Sequence, residues 1–223
     1  MYGFKISLNQ VKIPLKSGVL GRAGGGKKGM VRLNRSRHVA GGPNCCGGNS
    51  EFNIWGTIIF RGECQIGTSC KICVGEDGVL EFGDNNIVMS ECNITAYNEV
   101  IIGDNLLMAH RSQIFDTGYH YVLDIKRKCV NRIASNIHIG HDCWLCNNST
   151  VMEGVRLPNN TIVASQSLVN KSIGKVAEYC VLAGIPAKVV ATGRKRLFDT
   201  VLESKINSFF INNPKVLQYS LNS

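Results

Sequence analysis

No stretch of the 223-residue chain approaches the roughly 20 consecutive apolar residues that a membrane-spanning helix needs, and Lys5, Lys12 and Lys16 interrupt any apolar leader near the start. A cytoplasmic protein is therefore expected. Charged residues are sparse at 18% and there are only five prolines, while 44% of the chain is hydrophobic, a balance that excludes wholesale disorder and favours a packed core. Aromatic residues make up only 7%, with no aromatic interleaving and no helix-turn-helix spacing, so nucleic acid is not an expected partner. Acidic residues are missing altogether from residues 1–50, which carry nine Lys or Arg. The net charge of +9 thus belongs to that segment, because the remaining 16 basic residues equal the 16 acidic ones. It reads either as a solvated basic apron or as a surface for anionic substrates.

Ten cysteines are present, and without a leader they point to free thiols in a reducing compartment. Two C-x-x-C pairs, Cys70 with Cys73 and Cys143 with Cys146, are separated by 69 residues, far beyond the insert of a zinc ribbon. No metal is expected. The thiols have a better explanation in a repeat.

An apolar residue recurs every sixth position at Ile139, Leu145, Val151, Leu157, Val163 and Val169, and upstream at Ile54, Phe60, Ile66 and Ile72, then Phe82, Val88 and Ile94, then Ile102, Met108 and Ile114. The fifth position of the hexads is mostly small: Cys64, Cys70, Cys92, Ser112, Cys143, Ser149, Val155, Thr161 and Ser167, with Ile58, Glu76, Asn86, Asn98 and Leu106 as misses. Residues just before the corner of a narrow coil have little volume to fill, so these cysteines read as small core residues. Gly67, Gly83, Gly103, Gly140 and Ala164 follow the aliphatic position, where a turn tolerates little side chain.

Short strands with a bend at each end, three to a turn, wind into a triangular prism of parallel sheets, a β-helix of about five coils with aliphatic columns inside. The expected organisation is a basic, Gly-rich segment over residues 1–53, the β-helix over 54–192 and a helical tail over 193–223. The tail rests on an amphipathic pattern at Leu197, Val201, Leu202, Lys205, Ile206, Phe209 and Phe210 that Asn212-Asn213-Pro214 ends. One excursion, residues 119–137, breaks the repeat and holds His120, Asp124 and Lys126-Arg127-Lys128. Such an excursion adds no stacking, so it projects for binding or assembly.

Four segments carry a resemblance: Ile102-Gly103-Asp104-Asn105, Asp116-Thr117-Gly118-Tyr119-His120, Ile139-Gly140-His141-Asp142-Cys143-Trp144-Leu145 and Val181-Leu182-Ala183-Gly184-Ile185-Pro186-Ala187-Lys188. In order and spacing the chain resembles the hexapeptide-repeat acyltransferases, in particular the O-acetyltransferases of bacterial capsular and surface polysaccharides. The resemblance implies an all-β, left-handed parallel β-helix, a hand that hexad spacing alone does not carry. It implies a homotrimer with acetyl-CoA in a groove between adjacent prisms, and a sugar or glycan acceptor whose hydroxyl receives the acetyl group.

His120 matches the family's catalytic histidine, a general base for the hydroxyl proton. Relatives often carry Asp two residues earlier, where this chain has Gly118, so Asp116, Asp124 or a backbone carbonyl is left to orient the ring. Asp116 is equally placed to cap a turn. Trp144 matches a tryptophan near the pantetheine or acceptor groove, or else covers a prism face, and Cys146 stands where relatives have Gly. Ala164, Ser165, Pro186 and Ala187 match positions of close contact with the CoA arm, and Lys171 and Lys188 are candidates for its phosphates. The basic residues Lys27, Lys28, Arg32 and Arg35 suit a nucleotide-linked or membrane-linked glycan intermediate. A γ-type carbonic anhydrase shares the architecture, but the H-x-x-x-x-H zinc spacing is absent from His110, His120, His138 and His141. A non-catalytic β-helix scaffold or glycan-binding protein is the remaining alternative.

Overall fold

The computed structural model describes residues 4–7, 11–14, 19–20, 31–33, 48, 50–170 and 175–221. Lys27, Lys28, Arg35 and Lys171 lie outside the described residues. The aliphatic position of every hexad is buried, and alternation along each strand turns the residues between outward. A chain with this pattern cannot bury one strand alone. It buries them by stacking coil on coil, with each coil's backbone N–H groups paired to the next.

The result is a parallel β-helix with three sheets. Its first full coil runs through Glu51–Ile54, Thr57–Phe60 and Cys64–Ile66, and its fifth through Thr150–Met152, Arg156–Leu157 and Ile162–Val163. The register aligns the columns residue on residue. On one face Phe52, Ile72, Ile94, Ile114, Val151 and Val169 are stacked neighbours. On the second the column is Phe60, Phe82, Ile102, Ile139 and Leu157, with the Phe60 and Phe82 rings stacked at 5.2 Å. On the third it is Ile66, Val88, Met108, Leu145, Val163 and Leu182.

The small fifth-position residues lie inside as expected, with Cys64, Cys70, Cys92, Ser112, Cys143, Ser149, Thr161 and Ser167 all buried. Three of the misses, Ile58, Asn86 and Leu106, are buried as well, so the corner accepts larger side chains where neighbouring coils leave room. Burial raises the Cys64 thiol pKa and pushes Cys143 up to about 12, which keeps these thiols protonated and chemically quiet. Among the described residues no three His, Cys, Asp or Glu side chains gather as metal ligands would.

Corners are made by polar residues in the left-handed region. Asn85, Asn105, Asp142 and Asn160 take φ of 54° to 59° at one edge, where short polar side chains stabilise that conformation. Their side chains form a ladder, Asn85 Nδ2 donating to Asn105 Oδ1 at 2.8 Å and Asn105 Nδ2 to Asp142 Oδ1 at 2.9 Å. The glycine two residues before three of these corners, at Gly83, Gly103 and Gly140, is required by close approach, Pro158 standing at the fourth: a Cβ at Gly103 would lie 2.8 Å from the backbone of Gly140 and His141.

Both ends of the coil are covered. Phe4–Ser7 and Val11–Pro14 pair antiparallel to Thr57–Phe60 and Glu51–Ile54, while Val31–Leu33 pairs parallel to Cys64–Ile66 and is itself bordered by Val19–Leu20. At the other end Cys180–Gly184 lies parallel to Ile162–Val163, and Ala187–Thr192 returns antiparallel across a turn with a cis Ile185–Pro186 bond. The tail helix, Thr200–Asn212, lies after residue 193, and ahead of it Arg194 N–H is held to Tyr179 O at 2.9 Å. Asp199 caps it, accepting from the amides of Val201 and Leu202, and none of its residues is buried. No described helix is long and apolar enough to cross a membrane.

Candidate active site

The excursion leaves the coil after Gln113–Phe115 and returns before Ile137–Ile139, at the corner between the first two faces. Its stem closes through a Thr117–Ala134 bridge, Gly118 N–H to Ile133 O at 3.1 Å and Ser135 N–H to Asp116 O at 2.9 Å, and Ile137, the expected last residue of the excursion, already belongs to the coil. Further out, Leu123–Asp124 and Cys129–Val130 form a short antiparallel pair. Asp124 Oδ1 accepts from the amides of Lys126 and Arg127 and so fixes the basic turn between these strands.

His120 stands on a tight turn at the top of the stem, its N–H donating to Gly118 O at 2.8 Å around Tyr119, whose φ is 62°. A left-handed non-glycine residue costs about 1–3 kcal/mol and persists only where its surroundings hold it. Three contacts do so. Tyr119 N–H donates to Thr117 Oγ1 at 3.0 Å, its phenol and Thr95 Oγ1 are hydrogen-bonded at 2.8 Å, and its ring meets Tyr97 edge-on at 5.6 Å. The neighbouring coil thereby sets where the imidazole sits. A Cβ at Gly118 would meet nothing within 4 Å, so sterics do not explain the missing carboxylate there.

Asp116 does not approach the imidazole as an orienting partner. It is fully buried, with one oxygen accepting from Tyr97 N–H at 2.8 Å and the other from Asn98 N–H at 2.7 Å. Burial raises its pKa, against the pull of those backbone donors. Its place is the turn-capping one, pinning the corner from which Tyr97 reaches Tyr119.

His120 is exposed and opens onto a cleft of about 460 Å³, shared with Gly118, Val122, Asp124, Asn131, Arg132, Ile133 and Glu153. Among the described residues its ring has no hydrogen-bond partner. Glu153 comes from the next coil, immediately after Thr150–Met152, and no spacing in the sequence marks it. Tyr119 was equally hidden, since its role depends on Thr95 and Tyr97 one coil away.

The other candidate residues gather elsewhere. Trp144 lies on the outer side of the third face, between Leu107 and Ile162, with its Nε1 buried and unpartnered among the described residues. Ala164 follows on that face, its N–H donating to Leu182 O at 2.8 Å, and Ser165 is exposed at the next corner. Gly184 N–H donates to Ser167 Oγ at 3.1 Å and ties the terminal hairpin to this corner, where Ala187 is buried and Pro186 and Lys188 are exposed. Cys146 is half-buried beside them, its thiol pushed up to about 11 by burial. Within one chain, then, His120 lies off one edge of the prism and the Trp144–Lys188 group occupies a different face.

No protein-family model matches the chain. A Mycobacterium tuberculosis protein that carries an acetyltransferase name is 31% identical over 166 residues, covering 73% of this chain and 50% of that protein, so the chain spans about half of that relative's length. An Escherichia coli protein named for lipopolysaccharide biosynthesis and O-acetyl transfer, WbbJ, is 28% identical over 145 residues, covering 60% of this chain and 71% of that one. Superposition on the crystal structure of the polySia-specific acetyltransferase NeuO gives a TM-score of 0.47 at 19% identity, covering 69% of this chain and 80% of that one. In its sixfold repeat and stacked corners the chain resembles the hexapeptide-repeat acyltransferases, and the sequence relatives it is similar to carry acetyltransferase names.

Proposed function

We propose that this chain moves the acetyl group of acetyl-CoA onto a hydroxyl of a sugar or surface-polysaccharide precursor, with His120 as general base. The observation that carries the reading is an imidazole held on a strained turn at the mouth of a cleft, in a chain whose relatives bear acetyltransferase names. A thioester supplies an acetyl group already activated toward an oxygen nucleophile. The chain's own task is to remove the hydroxyl proton and to fix the approach. His120 takes that proton as the C–O bond forms, and returns it to the sulfur as the C–S bond breaks, so the imidazole ends neutral.

The residues of the third face fit a CoA arm. Trp144 offers a buried N–H without a partner among the described residues, Ala164 keeps the corner low, and Lys188 stands exposed where phosphates would meet it. Because this group and His120 lie on different sides of one prism, the reading requires a second copy to complete each site. A homotrimer does this by rotation, each groove taking His120 from one protomer and Trp144 from its neighbour.

The test is release of the CoA thiol with a panel of sugars. His120→Ala is expected to lower kcat by about 10²- to 10⁴-fold with thermal unfolding unchanged. A non-catalytic scaffold would turn over no sugar and would not respond to the substitution.

A further inference from the structure

The cleft below His120 contains a carboxylate that the fold does not use. Glu153 is half-buried, and its Oε2 is shielded from solvent without a hydrogen-bond partner among the described residues. A buried carboxylate oxygen lacking a donor is costly, and native structures keep such a group where a ligand or mechanism needs it. The two neighbouring carboxylates are already committed: Asp116 to the amides of Tyr97 and Asn98, and Asp124 to those of Lys126 and Arg127. Arg132 lines the same cleft, yet no ion pair joins it to Glu153. Two polar groups without a hydrogen-bond partner among the described residues, the His120 ring and the Glu153 carboxylate, thus open onto one volume of about 460 Å³.

We propose that Glu153 binds the acceptor by accepting a hydrogen bond from a second hydroxyl while His120 takes the proton of the reacting one, an inference that rests on the acetyl-transfer reading. The preferred acceptors are accordingly polyols such as pyranosides, and simple alcohols are poor ones. A carboxylate accepts strongly from a hydroxyl and discriminates against a substrate that lacks it, because its desolvated oxygen is then left unpaired.

The experiment compares wild type, E153Q, E153A and H120A with acetyl-CoA and a panel of methyl hexopyranosides and their monodeoxy forms. The expected result for E153A is an acceptor KM raised at least about tenfold with the acetyl-CoA KM unchanged, and a smaller rise for E153Q, which keeps an acceptor oxygen. One monodeoxy sugar should show the same loss with wild type and no additional loss with E153A. In the free protein, E153Q and E153M should unfold at a higher temperature than wild type; a lower one would mean that the carboxylate already has a partner, and would overturn the proposal. Turnover that H120A abolishes but E153A leaves at the wild-type acceptor KM overturns this inference alone. Absence of turnover by wild type with every sugar overturns the acetyl-transfer reading, and this inference with it.

Discussion

Tyr119 keeps a backbone conformation that its own side chain disfavours, and the contacts that hold it there reach across to Thr95 and Tyr97 on the neighbouring coil. Tyr119→Phe removes the phenol bond but leaves the ring contact. It should cost about 0.5–1.5 kcal/mol of stability and lower kcat several-fold with the acetyl-CoA KM unchanged, as measured by urea unfolding and steady-state thiol release. His138, on the outer side of the second face, gives a pH-dependent counterpart. Burial lowers its pKa from the ordinary 6.5, Arg156 lowers it further, and Glu99 at 3.6 Å pulls the other way. Between the folded value and 6.5 the unfolded chain therefore holds more proton than the native one, so stability is fully present above that window and is lost as pH falls through it. The urea midpoint of wild type relative to His138→Gln should accordingly drop between pH 8 and pH 5, and a constant difference would rule the effect out.

At the scale of the element, the corner ladder separates two contributions that are usually confounded. Asn105→Gly keeps a backbone suited to φ 59° and loses both side-chain bonds, whereas Asn105→Ala loses the bonds and adds left-handed strain. In denaturant titrations the glycine variant should lose about 1–2 kcal/mol and the alanine variant about 1–2 kcal/mol more. Strands and buried positions could be read from the sequence because a hexad repeat imposes one burial pattern on each rung. Leu145 and Val163, 18 residues apart, announce a shared column by spacing, whereas Ile66, Val88 and Met108, in coils of irregular length, are aligned only by the strand register. Contacts between rungs were not legible. Asp116 meets Tyr97 across 19 residues, and the excursion shifts the register for everything after it, so neither that bond nor the place of Glu153 follows from local pattern. The hand of the winding is equally silent in spacing, and came from family resemblance.

For the whole molecule, the separation of His120 from the Trp144–Lys188 face makes a prediction about mixtures. If each site draws its base from one protomer and its Trp144 from the next, then His120→Ala and Trp144→Ala chains, each inactive alone, should regain activity when assembled together. Random mixing of equal amounts restores about a quarter of the sites. Sites contained within single chains would give none.

The strands laid against the first coil have a further effect on how copies meet. An uncovered rung would present rows of amides and carbonyls to which another molecule's rung could add, and nothing in the geometry would then halt the growth of a filament. Here Phe4–Ser7 and Val11–Pro14 run backward across two sides, Pro14 brings a residue without an amide hydrogen to the rim, and Val19–Leu20 reverses on the third. One blocked end suffices, since joining at the other can unite two molecules at most. Under the proposed homotrimer, contacts between copies would then fall on the long flanks of the prism, where a rotation closes on itself after three copies.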